Sequence, residues 1–268
     1  MTIRQTEAME KARLLRAALA SGRVPASMLR SAQKLLTVLE TPVQVTVLGA
    51  RGVGKSSLIS LILGDTTAPR PEKSGILQLG YSESSYALVK DERGSDVRLN
   101  GVIDAADVPK GAFEIKQFLP LPSLKTMRLA DVTVPQDTAS RERVLSWVAE
   151  QSDLAIWCTP SLQSEDLATW MSLPDALKDH GFLALTKADV LQRDGDLSAQ
   201  IARFEKDFAE EFLALYPIAT KRAQRALDQG RISDPALWDA AGAGRFMSAL
   251  ERHVATGREE ALDYVDMI

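Results

Sequence analysis

Apolar positions along the chain change their period several times, and each change marks an element. Residues 7–21 and 25–40 repeat every three to four positions, with Met28, Ala32, Leu35 and Leu39 on one face, which predicts two helices parted at Gly22. Pro25 suits the first turn of the second helix. At 43–48 the chain becomes Val-Gln-Val-Thr-Val-Leu, a strand by its alternation, followed by a glycine-rich loop and an apolar helix around Leu58–Leu63. Further strands are predicted at 76–81, 86–90, 113–118, 127–131, 154–158, 182–186 and 215–219. Helical patterns at 140–150, 165–178 and 197–213 separate the later ones, so the fold class is α/β with a mostly parallel central sheet flanked by helices. The stretch 86–99, turning at Asp91-Glu92-Arg93-Gly94, predicts an inserted β-hairpin. From Arg245 to Ile268, the residues Phe246, Leu250, Val254, Ala261, Val265 and Ile268 fall at helical spacing, with Gly257 as a point of interruption. The expected division is an N-terminal helical segment over 1–41, an α/β domain over 42–241, and a C-terminal helix over 242–268 packing with the N-terminal helices in a small bundle.

Composition narrows the function classes. With 268 residues, 45% of them hydrophobic, the chain can bury one sizeable core. A formal charge of -4, from 32 basic and 36 acidic side chains, offers no global attraction to nucleic acid, which is set aside as a partner. The first forty residues are locally positive: Arg4, Lys11, Arg13, Arg16, Arg23, Arg30 and Lys34 stand against Glu7, Glu10 and Glu40. That is either a solvated face or a contact for acidic lipid or a partner. No apolar run is long enough to span a bilayer, and Met1–Gln5 opens no signal peptide, so a cytoplasmic protein is expected. One cysteine, Cys158, excludes an internal disulfide, and with only His180 and His253 beside it no zinc-site spacing exists. Metal chemistry would therefore use carboxylates and hydroxyls. Trp157 and Cys158 are expected in the core of a central strand, His180 at a helix end and His253 on one side of the C-terminal helix.

The loop after the first strand reads Gly49-Ala50-Arg51-Gly52-Val53-Gly54-Lys55-Ser56, which fits G-x-x-x-x-G-K-[ST] between strand and helix. Such a loop needs glycines so that backbone N–H groups approach phosphates, a lysine to reach the β and γ oxygens, and a hydroxyl for Mg²⁺. Lys55 and Ser56 fill the last two roles. Met127-Arg128-Leu129-Ala130-Asp131 supplies a strand ending in a carboxylate, and Asp131 is the candidate that holds Mg²⁺ through water. Phe182–Leu185 then delivers Thr186-Lys187-Ala188-Asp189. An aspartate carboxylate accepts from both N1–H and the exocyclic amine of guanine, an arrangement adenine lacks, so Asp189 would select GTP and GDP. The stem of Lys187 would cover the base.

Thr186 to Asp189 resembles the [NT]KxD element of translation-factor-related GTPases. Tyr216-Pro217-Ile218-Ala219-Thr220-Lys221 looks like the strand and loop that close over guanine in such proteins, which implies base contacts at Ala219, Thr220 and Lys221. Over about residues 43–256 the chain is most similar to bacterial dynamin-like GTPases. The paired serines Ser56 and Ser57 after Lys55, the stretch from Phe113 through Leu119-Pro120 to Leu124, and the flanking helices carry that narrower resemblance. It implies a P-loop GTPase domain turning GTP into GDP and phosphate with Mg²⁺. It also implies nucleotide-controlled association with a second copy or with a GTPase or helical partner, and peripheral contact with the inner membrane. Fewer than 50 residues follow the last predicted strand, so a minimal member without a long stalk is expected.

The sequence departs from the family pattern at the second switch, where Asp-x-x-Gly is replaced by Asp131-Val132-Thr133-Val134. A β-branched valine resists unusual backbone angles, so slow intrinsic hydrolysis is expected. For the first switch, whose hydroxyl would also reach Mg²⁺, Ser74 is the best-placed candidate, with Thr66 and Thr67 competing. Arg51 either acts on the transferring phosphate as an arginine finger in cis, contacts a second GTPase domain, or faces solvent. Gln136 either orients the attacking water or is an ordinary loop residue. The alternative reading is a catalytically impaired GTPase-fold scaffold acting through protein contacts.

Overall fold

The computed structural model describes residues 3–65, 75–90, 96–104, 108, 112–228 and 230–265. In chain order the elements are α1 (Ile3–Ala20), α2 (Leu29–Glu40), β1 (Val43–Gly49), α3 (Lys55–Leu63), β2 (Ile76–Tyr81), β3 (Tyr86–Lys90), β4 (Asp96–Asn100), β5 (Glu114–Leu119) and β6 (Met127–Thr133). There follow α4 (Thr138–Gln151), β7 (Leu154–Thr159), α5 (Ser164–Met171), α6 (Asp175–Lys178), β8 (Phe182–Thr186), α7 (Ala188–Asp194), α8 (Leu197–Asp207) and β9 (Ala214–Ile218). The chain ends with α9 (Thr220–Arg225), the short pair β10 (Leu227–Asp228) and β11 (Arg231–Ile232), α10 (Pro235–Ala240) and α11 (Ala243–Val265).

Nine strands form one sheet in the order β4-β3-β5-β2-β6-β1-β7-β8-β9. The pairs β1/β7, β7/β8, β8/β9 and β2/β5 are parallel, and β2/β6, β3/β5 and β3/β4 antiparallel. Every residue of β7 and β8 is buried, as strands covered on both faces require. This is the α/β architecture anticipated from the apolar pattern, including the hairpin of β3 and β4; its turn at 91–94 lies outside the described residues.

By contacts the chain forms two compact units. Gln44–Met247 form one, and the described residues up to Val43 together with those from Ser248 onward form the other. In the second, Ala12 and Leu15 of α1 are buried with Ala32 and Leu39 of α2, and Leu35 and Leu36 pack against them. Arg16 also pairs with Glu40 across the two helices. Leu250 and Val254 of α11 are buried in the same unit.

Several predicted boundaries move for identifiable reasons. Pro25 does not open α2; its carbonyl accepts from the Met28 N–H at 2.9 Å in a turn, and the helix starts at Leu29. The helix expected over 165–178 is broken at Pro174, which has no N–H to donate and cannot sit inside a helix. The helix expected to reach Leu213 ends at Asp207, because the chain turns there to stack Phe212 on Trp170 with centroids 4.3 Å apart. α11 runs unbroken through Gly257, while Ile268 lies outside the described residues. Trp157 and Cys158 are buried in β7 as expected.

Gln117 of β5 is fully buried and joins the inserted hairpin to the sheet. Its amide nitrogen lies 2.9 Å from the Tyr86 carbonyl, 3.0 Å from that of Gly101 and 3.1 Å from that of Phe118. Its Oε1 accepts from the Ile103 N–H at 2.8 Å. Leucine has a similar volume but would leave these groups unpaired away from water. Gln117→Leu is therefore expected to lower the free energy of unfolding by about 3 kcal/mol, read from urea denaturation, and a loss under about 0.5 kcal/mol would contradict this account.

Candidate functional site

Where β1 meets β7 there is no room for a side chain. A Cβ on Gly49 would stand 2.3 Å from the Cys158 carbonyl oxygen, and Gly49 itself holds φ 151°. The loop then exposes Arg51 and Gly52, buries Val53, and reaches Gly54, whose φ of 110° turns the chain into α3. A Cβ there would press at 3.3 Å on the Thr186 side chain. The first N–H groups of α3 have no partners within the helix, so the loop ends in a concentration of outward donors suited to phosphate.

Lys55 and Ser56 open that helix. The Lys55 Nζ donates to the Ala50 carbonyl at 2.8 Å, folding the side chain back over the loop. Burial holds its ammonium below the ordinary lysine range, and the Asp131 carboxylate acts in the opposite direction. The Ser56 Oγ donates to Asp131 Oδ2 at 2.8 Å. Asp131 does not end its strand, as the sequence suggested; β6 continues to Thr133 because the main chain stays in the ladder. Hydroxyl and carboxylate oxygens thus meet beside the loop, and hard oxygen donors of this kind suit Mg²⁺. Burial pushes the thiol of the neighbouring Cys158 up, which leaves it a core group.

Two residues before Lys55, the Val53 carbonyl accepts from the Thr186 Oγ1. This bond, which the sequence did not suggest, ties the end of β8 to the loop's interior. Lys187 follows with φ 56°, the only non-glycine residue among those described with a positive φ. Such a conformation costs about 1 kcal/mol or more and persists where surrounding structure imposes it. Here it starts α7 at Ala188 and sets the exposed Asp189 in the first helical turn. Beyond β9, Ala219 and Thr220 are buried and Lys221 is exposed. A cavity of about 260 Å³ opens beside Asp189 and Ala219, with Tyr216, Arg222 and Arg245 also on its wall. Gln224 of α9 donates to the Ser57 carbonyl at 3.1 Å, joining the base-side helix to the phosphate-side helix.

The segment from Thr133 to Gln136 is pinned residue by residue. The Thr133 N–H donates to the Gly75 carbonyl and the Val134 N–H to the Gly49 carbonyl, each at 3.0 Å. Arg141 donates to the carbonyls of Pro135 at 3.1 Å and Gln136 at 2.7 Å, and lies 3.4 Å from Glu165. The Val134 amide is therefore bound to Gly49, where β1 passes into the loop. Arg141 had one sequence signal: a cation in the first turn of a helix opposes the dipole and needs a specific partner. Ser74, Thr66 and Thr67 lie outside the described residues.

No family model matches the chain. Dynamin-like protein 2 of Campylobacter jejuni subsp. jejuni serotype O:23/36 (strain 81-176) is 28% identical over 208 residues, 72% of this chain and 33% of that protein. Two solved chains superpose with TM-scores of 0.68 and 0.69, each 16% identical and covering 99% of this chain. They belong to an oligomerised bacterial dynamin pair described as providing a mechanism for long-range sensing and tethering of membranes. The fold is that of a bacterial dynamin-like GTPase. The chain spans one third of the length of that curated relative, and 54% and 46% of the solved dynamin chains.

The loop carries a buried cation, Lys55, in a position that burial disfavours. Its folded pKa lies below the unfolded value, so between the two the unfolded chain holds the proton more tightly, and stability rises with pH through that window. Lys55→Met removes this cost. It is expected to raise the unfolding free energy of the nucleotide-free protein while weakening nucleotide binding at least about tenfold. A destabilised variant that still binds nucleotide would contradict this reading.

Proposed function

We propose that the chain binds GTP and GDP with Mg²⁺ and hydrolyses GTP slowly. In this reading its nucleotide state governs association with a second copy or with a GTPase or helical partner at a membrane surface. The observation that carries the reading is the double attachment of one loop. Lys55 and the Ser56–Asp131 bond lie at its phosphate end, and Thr186 holds its other side next to Asp189.

In this reading the loop N–H groups and Lys55 bind the phosphates, and Ser56 and Asp131 hold Mg²⁺, the latter through water. Bound there, Mg²⁺ would offset the charge that gathers on phosphate oxygens. Asp189 accepts from the guanine edge, the Lys187 stem covers the base, and Ala219, Thr220 and Lys221 close its other side. Ser57 continues the phosphate-side turn, and Arg51 stands where it could meet the transferring phosphate or a second domain. Ser74 remains the proposed first-switch hydroxyl. The membrane part rests on what the solved dynamin pair is described as doing and on the basic first forty residues. Among the described residues no helix is long and apolar enough to cross a membrane.

Slow turnover follows from Val134. Its N–H must leave the Gly49 carbonyl before it can meet a γ-phosphate, and its branched side chain narrows the angles available for that move. The same bond favours a second reading, a scaffold that binds GTP without turning it over. Single-turnover phosphate release separates the two. Val134→Gly is expected to raise the rate about tenfold over a slow but measurable wild-type rate. Tight GTP binding with no release from either form would leave the scaffold.

A further inference from the structure

The two edges of the sheet are finished differently. β9 forms one edge and contains Pro217, which has no N–H to offer an added strand. β4 forms the other, and Asp96-Val97-Arg98-Leu99-Asn100 contains no proline. The Gly101 N–H donates to the Ser85 carbonyl at 2.9 Å, one pair beyond Tyr86 opposite Asn100. Bonded and non-bonded pairs alternate along an antiparallel ladder, so Val97 and Leu99 bond inward to Val89 and Ala87. The main-chain groups of Asp96, Arg98 and Asn100 then point outward. Asp96 and Arg98 project on one face of this edge, and Val97, 42% exposed, on the other.

We infer that β4 is an interface with a second copy of this chain, two β4 edges pairing antiparallel about a twofold axis at Val97. Outward groups must meet outward groups, which puts the axis on a residue, and near the strand's middle that means Val97, Arg98 or Leu99; an axis at Leu99 sets Arg98 of each copy against Asn100 of the other with no ion pair. An axis at Arg98 sets two guanidinium groups opposite each other. An axis at Val97 sets Asp96 of each copy against Arg98 of the other, twice, with the two Val97 side chains adjacent. The Arg98 guanidinium lies 3.9 Å over the Tyr86 ring, which stacks on Phe118 at 4.6 Å. Stacking fixes the group's plane and leaves in-plane N–H donors for a carboxylate. Charges on an edge strand ordinarily repel other strands, but these are complementary to their own copy in this register and so select it. In the sheet β4 lies five strands from β1, about 24 Å at ~4.8 Å per strand, so this pairing does not depend on nucleotide. That separates it from the nucleotide-governed association proposed above.

Cys158 is the chain's one cysteine and is buried, so a new surface thiol reports alone. A non-bonded antiparallel pair brings Cα atoms to about 4.5 Å, within disulfide reach. In the full chain without nucleotide, mild oxidation of Val97→Cys is expected to give a covalent dimer, and Arg98→Cys is not. Sedimentation equilibrium of the wild type at about 100 µM is expected to show a dimer with or without GDP or GTP. Asp96→Arg should weaken it about tenfold, and Asp96→Arg combined with Arg98→Asp should restore it. A monomer under these conditions, a dimer seen only with GTP, cross-linking through Arg98→Cys instead, or indifference to Asp96→Arg would each overturn the proposal.

Discussion

The rest of this structure depends on how closely the loop after β1 is pressed between its neighbours. At Gly49 it meets the Cys158 carbonyl of β7, and at Gly54 the Thr186 side chain at the end of β8. Only glycine fits at Gly49 and Gly54, and with glycine there the loop curls tightly enough to aim the first N–H groups of α3 outward. The Ser56–Asp131 bond and the Thr186–Val53 bond are made from the same short segment. Strand spacing within the sheet therefore sets the distance between a phosphate end and a base end. Buried strands β7 and β8 make that spacing rigid, since close-packed interiors resist small displacements.

That rigidity gives the pinned segment from Thr133 to Gln136 its meaning. Thr133, Val134, Pro135 and Gln136 each have a main-chain group bonded to the phosphate loop, to Gly75 or to Arg141. A glycine at 134 could exchange one partner for another with little backbone penalty. Valine, held in line with β6, makes the same exchange costlier. The bonds to Gly75 and Gly49 also tie the residue before β2 and the end of β1 to one strand end. A change of partner at Val134 would thus be felt at both.

Much of this was legible in the sequence because it rests on local chemistry. The run Gly49 to Ser56 and the run Thr186 to Asp189 are contiguous, and the alternation in 43–48 and the apolar run at 182–185 place both at strand ends. What escaped was long in range or set by tertiary packing. Arg141 reaches back to Pro135 and Gln136 and across to Glu165, and Gln224 reaches Ser57. No periodicity encodes such bonds. Phe204, Phe208 and Phe212 fall four residues apart and read as one helix, yet the stack on Trp170 bends the chain after Asp207. The strained φ of Lys187 was equally hidden, since its residue type suggests no such conformation.

The central claim is a guanine-nucleotide site built around one doubly anchored loop. Its most direct test is calorimetric titration of the wild type and Asp189→Asn with GDP and ADP in Mg²⁺. The account predicts that the wild type binds GDP at least about 100-fold more tightly than ADP, and that Asp189→Asn loses most of that preference. Equal affinity for the two nucleotides, or a preference that survives Asp189→Asn, would contradict it.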